Sequence, residues 1–267
     1  MTKGLTIIKL GGALITDKRK PYTLRKRVLK RVSKEIADVL GPCVIVHGAG
    51  SFGHVPVIKR NLYEGFKGAS QLPDLSQTML EVFDLRMAVT KALKEAGLAP
   101  VIFLPSNIFF MTNGEISGHF SGGYRQYLNL GMTLVFSGDM CADTQRGFSV
   151  CSGDKVVQLL ALLLHPEHVI FATDVAGIFT ADPKLELKAE LIPEIAMSRI
   201  HEFEKIANKA STPDITKGMR GKLEEIKRFE PILKAGAEVA ILGMMGPGIL
   251  RRYMENDSDV PCTRIIL

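Results

Sequence analysis

His47-Gly48-Ala49-Gly50-Ser51-Phe52-Gly53-His54 follows the apolar run Cys43-Val44-Ile45-Val46, and its glycines and histidines are the residues of this chain best suited to holding an anion. Glycine removes the side-chain obstruction that keeps backbone amides from a ligand, and the carboxyl end of a buried strand is where α/β sheets bind ligands. Lys9-Leu10-Gly11-Gly12-Ala13 forms a second place of the same kind. There a lysine at a strand's end supplies a point charge and the paired glycines supply fixed amide donors. By itself Lys9 reads equally as a strand-end lysine before a tight turn; the histidine loop and Lys18 downstream give the phosphate reading its weight.

Two further stretches carry chemistry. Thr173-Asp174-Val175-Ala176-Gly177-Ile178-Phe179-Thr180 follows a β-rich segment, and Asp174 suits a ribose hydroxyl, the orientation of a lysine or a simple turn. Asp182-Pro183 starts a turn. Asp214-Ile215-Thr216-Lys217-Gly218-Met219-Arg220-Gly221-Lys222 places three cations at a helix start, where the dipole favours negative charge. Cations there are electrostatically misplaced unless an anion joins them, so this stretch reads as a third anion site.

The elements that must position these residues follow from periodicity. Leu5 to Leu10 reads as a strand, Thr23 to Leu40 as an amphipathic crossover helix and Cys43 to Val46 as the next strand, a βαβ unit with glycine-rich turns at both strand ends. A long helix is expected from about Leu75 to Ala96, stopped by Gly97, with the stripe Leu75, Met79, Val82, Phe83, Val89 and Leu93. Strands are expected at Val101–Leu104, Thr133–Ser137, Phe148–Cys151, Val169–Thr173, Glu238–Leu242 and Thr263–Leu267. Met111 to Tyr127 reads as a hairpin or irregular insert. Further helices are expected at Lys155–Leu164, Ser198–Asn208 and Gly218–Lys234, the last broken or kinked at Pro231. The alternation predicts an α/β fold, a three-layer αβα sandwich with a mainly parallel central sheet. No Pro, Gly or Ser-rich linker divides it, so residues 1–267 read as a single domain of two lobes on one sheet.

Composition narrows the class. With 267 residues, 46% hydrophobic and 23% charged, the chain has the makeup of an ordinary globular protein. Cys43, Cys141, Cys151 and Cys262 form no CxxC pair, so buried thiols are expected rather than a metal site or a disulfide framework. The net charge of +6 is spread over several segments, which suits small anionic substrates better than nucleic acid. The apolar runs are too short to span a bilayer, and Met1-Thr2-Lys3-Gly4 opens without a secretory h-region, so a cytoplasmic protein is expected.

Lys9-Leu10-Gly11-Gly12, the His47 to His54 loop, Ser152-Gly153-Asp154, the Thr173 to Thr180 stretch and Gly218-Met219-Arg220-Gly221-Lys222 occur in the order found in the amino acid kinase superfamily. Ser51-Phe52-Gly53-His54 and the Gly218 to Lys222 helix start resemble the isopentenyl phosphate kinase family within it, and the resemblance runs from Lys9 to Arg264. It implies an ATP-dependent, magnesium-assisted transfer to isopentenyl phosphate, the last step of an alternative mevalonate route to isoprenoids. About 1–165 would form the acceptor lobe and about 166–267 the nucleotide lobe.

The same resemblance assigns roles to individual residues. Lys9, Gly11, Gly12 and Ala13 would line the nucleotide's terminal phosphates, with Lys18 over the transferring group. Ala49 and Gly50 would offer amides to both substrates' phosphates. His54 and Gly153 would hold the acceptor phosphate, and Asp154 would orient the lysines. Asp174 and Gly218 would lie along the nucleotide, and Lys222 would meet its phosphates. Magnesium would be held chiefly by phosphate oxygens, with no protein ligand set. A homodimer is implied, with the Leu75 helix as the interface candidate. The acceptor's tail needs an apolar slot, for which Met79, Phe83 and Met87 are candidates.

The departures from the family pattern are Ala13 for a serine, Ala49 and Lys217 for glycines, and Lys155 for an acidic residue. Ala49 requires a negative φ. A fosfomycin-type phosphonate kinase and a nucleotide sensor without turnover are the alternative readings.

Overall fold

All five residues of Thr6–Leu10 are buried, which is what a strand covered by helices on both faces requires. The computed structural model describes residues 4–17, 19–181, 183, 185–207 and 223–267. In chain order the strands of the first half are β1 (Thr6–Leu10), β2 (Val44–His47), β3 (Pro100–Ile102), β4 (Phe109–Thr112), β5 (Glu115–His119), β6 (Thr133–Ser137), β7 (Asp139–Asp143) and β8 (Gly147–Cys151). Then come β9 (His168–Thr173), β10 (Ile178–Phe179), β11 (Leu191–Ile192), β12 (Glu194–Ala196), β13 (Glu238–Gly243) and β14 (Cys262–Ile266). The helices that matter for the site are α1 (Gly12–Ile15), α2 (Lys26–Val39), α3 (Gly50–Lys59), α4 (Leu72–Glu95), α5 (Pro105–Ile108), α6 (Tyr124–Asn129) and α7 (Gly153–Leu164).

Eight strands make one sheet in the order β12-β14-β13-β9-β1-β2-β6-β3, parallel except where β14 runs against β13. Side chains alternate across it with the period of two that a strand imposes. Ile8, Leu10, Ile45, Val135 and Ile170 join α2, α4 and the helix Ile249–Met254 in one core. Ile7, Val46, Phe136 and Phe171 join α7 and the stretch from Leu223 to Leu233 in the other. The result is the expected three-layer αβα sandwich. A smaller sheet of order β5-β4-β7-β8 and the β10–β11 hairpin sit beside it.

The connections place the loops. From β1 the chain crosses through α2 to β2 on one side, and much later it returns as β9 on the other. The carboxyl end of β1 therefore lies at a reversal of strand order, where α/β sheets open a crevice for ligands.

The departures from expectation are local. The second half of the histidine loop is helical, because α3 begins at Gly50. Asp139 starts strand β7, a strand that periodicity did not mark, and β7 with β8 forms a hairpin between the end of β6 and the start of α7. The insert is the β4–β5 hairpin followed by α6. Around Pro231 the chain passes from the 3-10 turn Lys227–Phe229 to the short helix Glu230–Lys234, with the proline in its first turn, as the missing amide donor dictates.

Candidate active site

Strand alternation aims Lys9. It shares a face of β1 with Ile7, toward α7, while its neighbours Ile8 and Leu10 pack on the α2 side. Its ammonium therefore meets the start of α7, where Nζ donates to Asp154 Oδ2 at 2.5 Å. Both residues are buried, 7% and 8% exposed, so the charge of each depends on the other for compensation. Ser152 caps α7, its Oγ accepting from Lys155 N at 3.2 Å, and the helix dipole adds a positive end to the same spot.

Register puts the loops around that lysine. Lys9 pairs with Val46 of β2 and with Phe171 of β9, so the His47 and Asp174 turns leave the sheet on either side of it. Gly11 and Gly12 open the single turn α1; Gly11 N donates to Ala172 O at 2.8 Å and Gly48 N to Leu10 O at 2.9 Å. The two glycine loops touch backbone to backbone. A Cβ on Gly12 would stand 2.6 Å from Gly50 Cα, and one on Gly48 2.8 Å from Gly12 N. These are close approaches that only glycine permits.

Gly50 has φ +48, whereas Ala49 has φ −71, the negative value its methyl requires. His54 is half-buried on α3, four residues on from Gly50, so the two lie on one helix face. Gly153 completes the ring: a Cβ there would meet Lys9 Cε at 3.3 Å and His47 O at 3.4 Å. Lys9, Gly11, Gly12, Ala49, Gly50, Gly153 and Asp154 thus converge at the crevice, with His54 one turn away. Ala13 lies within α1, and Asp174 stands at the end of β9 beside Thr173, whose Oγ1 is 3.4 Å from its Oδ1. Lys18, Asp182, Lys217, Gly218, Arg220 and Lys222 lie outside the described residues.

His47 is no ligand. It is wholly buried, with Nδ1 3.2 Å from Gly48 O, an arrangement that puts the ring proton on Nδ1. Burial first, and the nearby Arg86 cation second, push its pKa down to about 3, so it stays neutral. Lys155, where the family pattern has an acid, turns away from the crevice: Nζ donates to Gly114 O at 2.6 Å and to Glu115 Oε1 at 2.7 Å, tying α7 to the β4–β5 hairpin.

One charged group escaped the sequence reading. Arg86 of α4 is 2% exposed; it donates to Ser137 Oγ at 2.6 Å and to Asp139 Oδ2 at 3.0 Å, beneath the turn that leads from β6 to β7. Gly138 in that turn donates to His47 O at 3.2 Å, and its Cβ position is 3.2 Å from Gly153 N. The buried pair therefore underlies both the histidine loop and the start of α7. The signal was present: Val82, Arg86, Val89 and Leu93 recur at helical spacing, so the stripe itself contains the arginine.

Beside the histidine loop, Val57, Leu62, Met140 and Phe148 form a small apolar cluster with Met79 packed on it. Val82 lies under Gly53. Phe83, expected in the same slot, is instead 38% exposed with the Arg86 guanidinium 5.7 Å from its ring centre, and Met87 is half-buried.

The geometry suits a reaction between two anions, with lysine, glycine amides and a helix start ranged around one crevice. The amino acid kinase family model matches residues 4–241. An isopentenyl phosphate kinase of Methanothermobacter thermautotrophicus is 33% identical over 98% of both chains. One of Thermoplasma acidophilum is 28% identical over 87% of this chain and 89% of its own. A solved isopentenyl phosphate kinase structure superposes with a TM-score of 0.80 at 31% identity, covering 98% of this chain and 99% of that one. The chain belongs to the amino acid kinase family.

Proposed function

We propose that this chain transfers the γ-phosphoryl group of ATP to isopentenyl phosphate, forming isopentenyl diphosphate for isoprenoid synthesis in the cytoplasm. The observation that carries this reading is the contact of two glycine loops beside the buried Lys9–Asp154 pair, with His54 on the helix that one loop begins. Its counterpart among relatives is the near full-length similarity to isopentenyl phosphate kinases.

Phosphoryl transfer between two phosphates needs no covalent nucleophile; it needs in-line positioning and neutralisation of spreading charge. Lys9 and the Gly11, Gly12 and Ala13 turn face the nucleotide's terminal phosphates, while Ala49, Gly50, His54 and Gly153 hold the acceptor phosphate. That phosphate is already a nucleophilic oxyanion near neutral pH, so His54 binds rather than abstracts a proton. Lys18 and Lys222 add positive charge to the transferring group, Asp154 holds Lys9 in place, and Asp174 and Gly218 lie along the nucleotide. About 1–165 serve the acceptor and about 166–267 the nucleotide.

The crevice around Lys9 gathers donors for phosphate oxygens, and a magnesium ion would be held by those same oxygens. When bound on those oxygens the ion neutralises phosphate charge.

The acceptor's tail lies along Val57, Met79, Val82 and Met140 beside the histidine loop. A homodimer forms through α4, which presents Leu72, Leu80 and Phe83 to solvent. The test is ADP release with isopentenyl phosphate, fosfomycin and N-acetylglutamate in parallel. Turnover with the first supports the reading; preference for fosfomycin identifies a phosphonate kinase; tight ATP binding with no turnover identifies a sensor.

A further inference from the structure

Thr16 is fully buried where the two glycine loops meet, and its hydroxyl is used twice. It donates to Gly12 O at 2.7 Å and accepts from Ser51 N at 3.0 Å. The first bond is the ordinary habit of a threonine toward the carbonyl four residues earlier in a helical turn. The second is not local: it joins the turn that begins at Gly12 to the start of α3, across 35 residues. The backbone of the acceptor loop rests directly on this side chain, since a Cβ on Gly50 would fall within 2.2 Å of Thr16 Oγ1.

Ser51 extends the tie. Its Oγ accepts from Thr23 N at 3.2 Å and its carbonyl from Tyr22 N at 3.4 Å, while Thr16 bridges Leu24 across the base of the same segment. Tyr22 is a non-glycine residue at φ +52, a conformation that persists where surroundings impose it, and its ring stands edge-on to Phe52 at 5.9 Å. Tyr22, Thr23 and Leu24 are therefore pinned through Ser51 and Thr16 to the start of α3.

We propose that Thr16 is a positioning residue whose hydroxyl fixes the separation of the nucleotide and acceptor loops, with Ser51 carrying the same constraint to Tyr22 and Thr23. The inference rests on the phosphoryl-transfer reading. In-line transfer is sensitive to misplacement on the scale of about 1 Å, worth roughly 100-fold in rate, even when neither substrate loses a contact. The effect of loosening Thr16 therefore belongs in kcat rather than in either KM.

Thr16→Val keeps the shape and removes both hydrogen bonds; Thr16→Ser keeps the hydroxyl. Steady-state kinetics are measured with ATP and the acceptor that the wild type uses best, together with the share of ADP released without phosphorylated acceptor. The expected result for Thr16→Val is a kcat lower by roughly 30-fold or more, both KM values within about threefold and a larger uncoupled share, with Thr16→Ser close to wild type. An unchanged kcat, a loss confined to KM, or an equal loss in Thr16→Ser overturns the proposal. If melting curves show that Thr16→Val does not fold, Thr16→Cys, with a weaker and longer donor, takes its place in the same comparison. A wild type that uses another acceptor counts against the substrate assignment alone, because the comparison runs on that acceptor. A wild type that transfers to none overturns both.

Discussion

Lys9 Nζ and Asp154 Oδ2 meet at 2.5 Å although 145 residues separate them in the chain. The contact exists because β1 and the start of α7 reach the same crevice, and it places a buried cation beside the glycine loops. Asp154→Asn keeps the volume and removes the charge that orients the lysine. The expected outcome is a kcat lower by roughly 100-fold, the scale of losing one well-placed electrostatic contact to a transition state. Steady-state kinetics on a variant shown by circular dichroism to be folded checks it; retained kcat would mean that the pair serves folding alone.

The glycine loops make opposite predictions at adjacent positions. Ala49 sits at φ −71, so Ala49→Gly changes little beyond a few tenths of a kcal/mol or about 1 kcal/mol at most. Gly50→Ala would force a side chain into φ +48 and against Thr16, and Gly12→Ala would push the two loops apart at Gly50. Both alanine variants should lose most activity while Ala49→Gly keeps it. Equal activity in all three would show that the loop contact is irrelevant to turnover.

His54 is assigned to the acceptor phosphate rather than to the nucleotide. A hydrogen bond to a charged group contributes about 1.5–3 kcal/mol, so His54→Ala should lower kcat/KM for the acceptor by roughly 10- to 150-fold and leave the KM for ATP near its original value. Separate titrations of the two substrates distinguish this from a general loss.

His47 gives the fold a pH signature of its own. With its pKa held down to about 3 by burial and by Arg86, it stays neutral in the folded chain while the unfolded chain takes up a proton below about 6.5. Stability from this group is complete above the unfolded value and declines as pH falls between those two values, by at most about 1.4 kcal/mol per pH unit. Urea midpoints measured from pH 7 to pH 5 should fall in the wild type and fall less in His47→Gln. Parallel slopes would remove His47 as the cause.

Much of this arrangement was legible in the residues. The continuous apolar runs of β1, β2 and β9 and the helical stripe of α4 predict the layers, because each reflects a burial pattern that one strand or helix satisfies by itself. The glycine loops declared themselves through types and order. What the linear pattern hid was long-range. Arg86 sits within an apolar stripe because Ser137 and Asp139, distant in sequence, satisfy it inside the fold. Thr16 and Ser51 are common residue types whose importance arises only when two loops are brought together. Phe83 lies exposed on that stripe for the related reason that helical spacing gives a face but not what covers it.

The most direct measurement of the central claim follows phosphorus in a mixture of the protein, ATP, magnesium and isopentenyl phosphate by 31P NMR. The expected result is a monoester resonance that declines in step with ATP while diphosphate resonances of a new ester grow. ATP breakdown to ADP and inorganic phosphate with the monoester untouched, or no change at all, would contradict it.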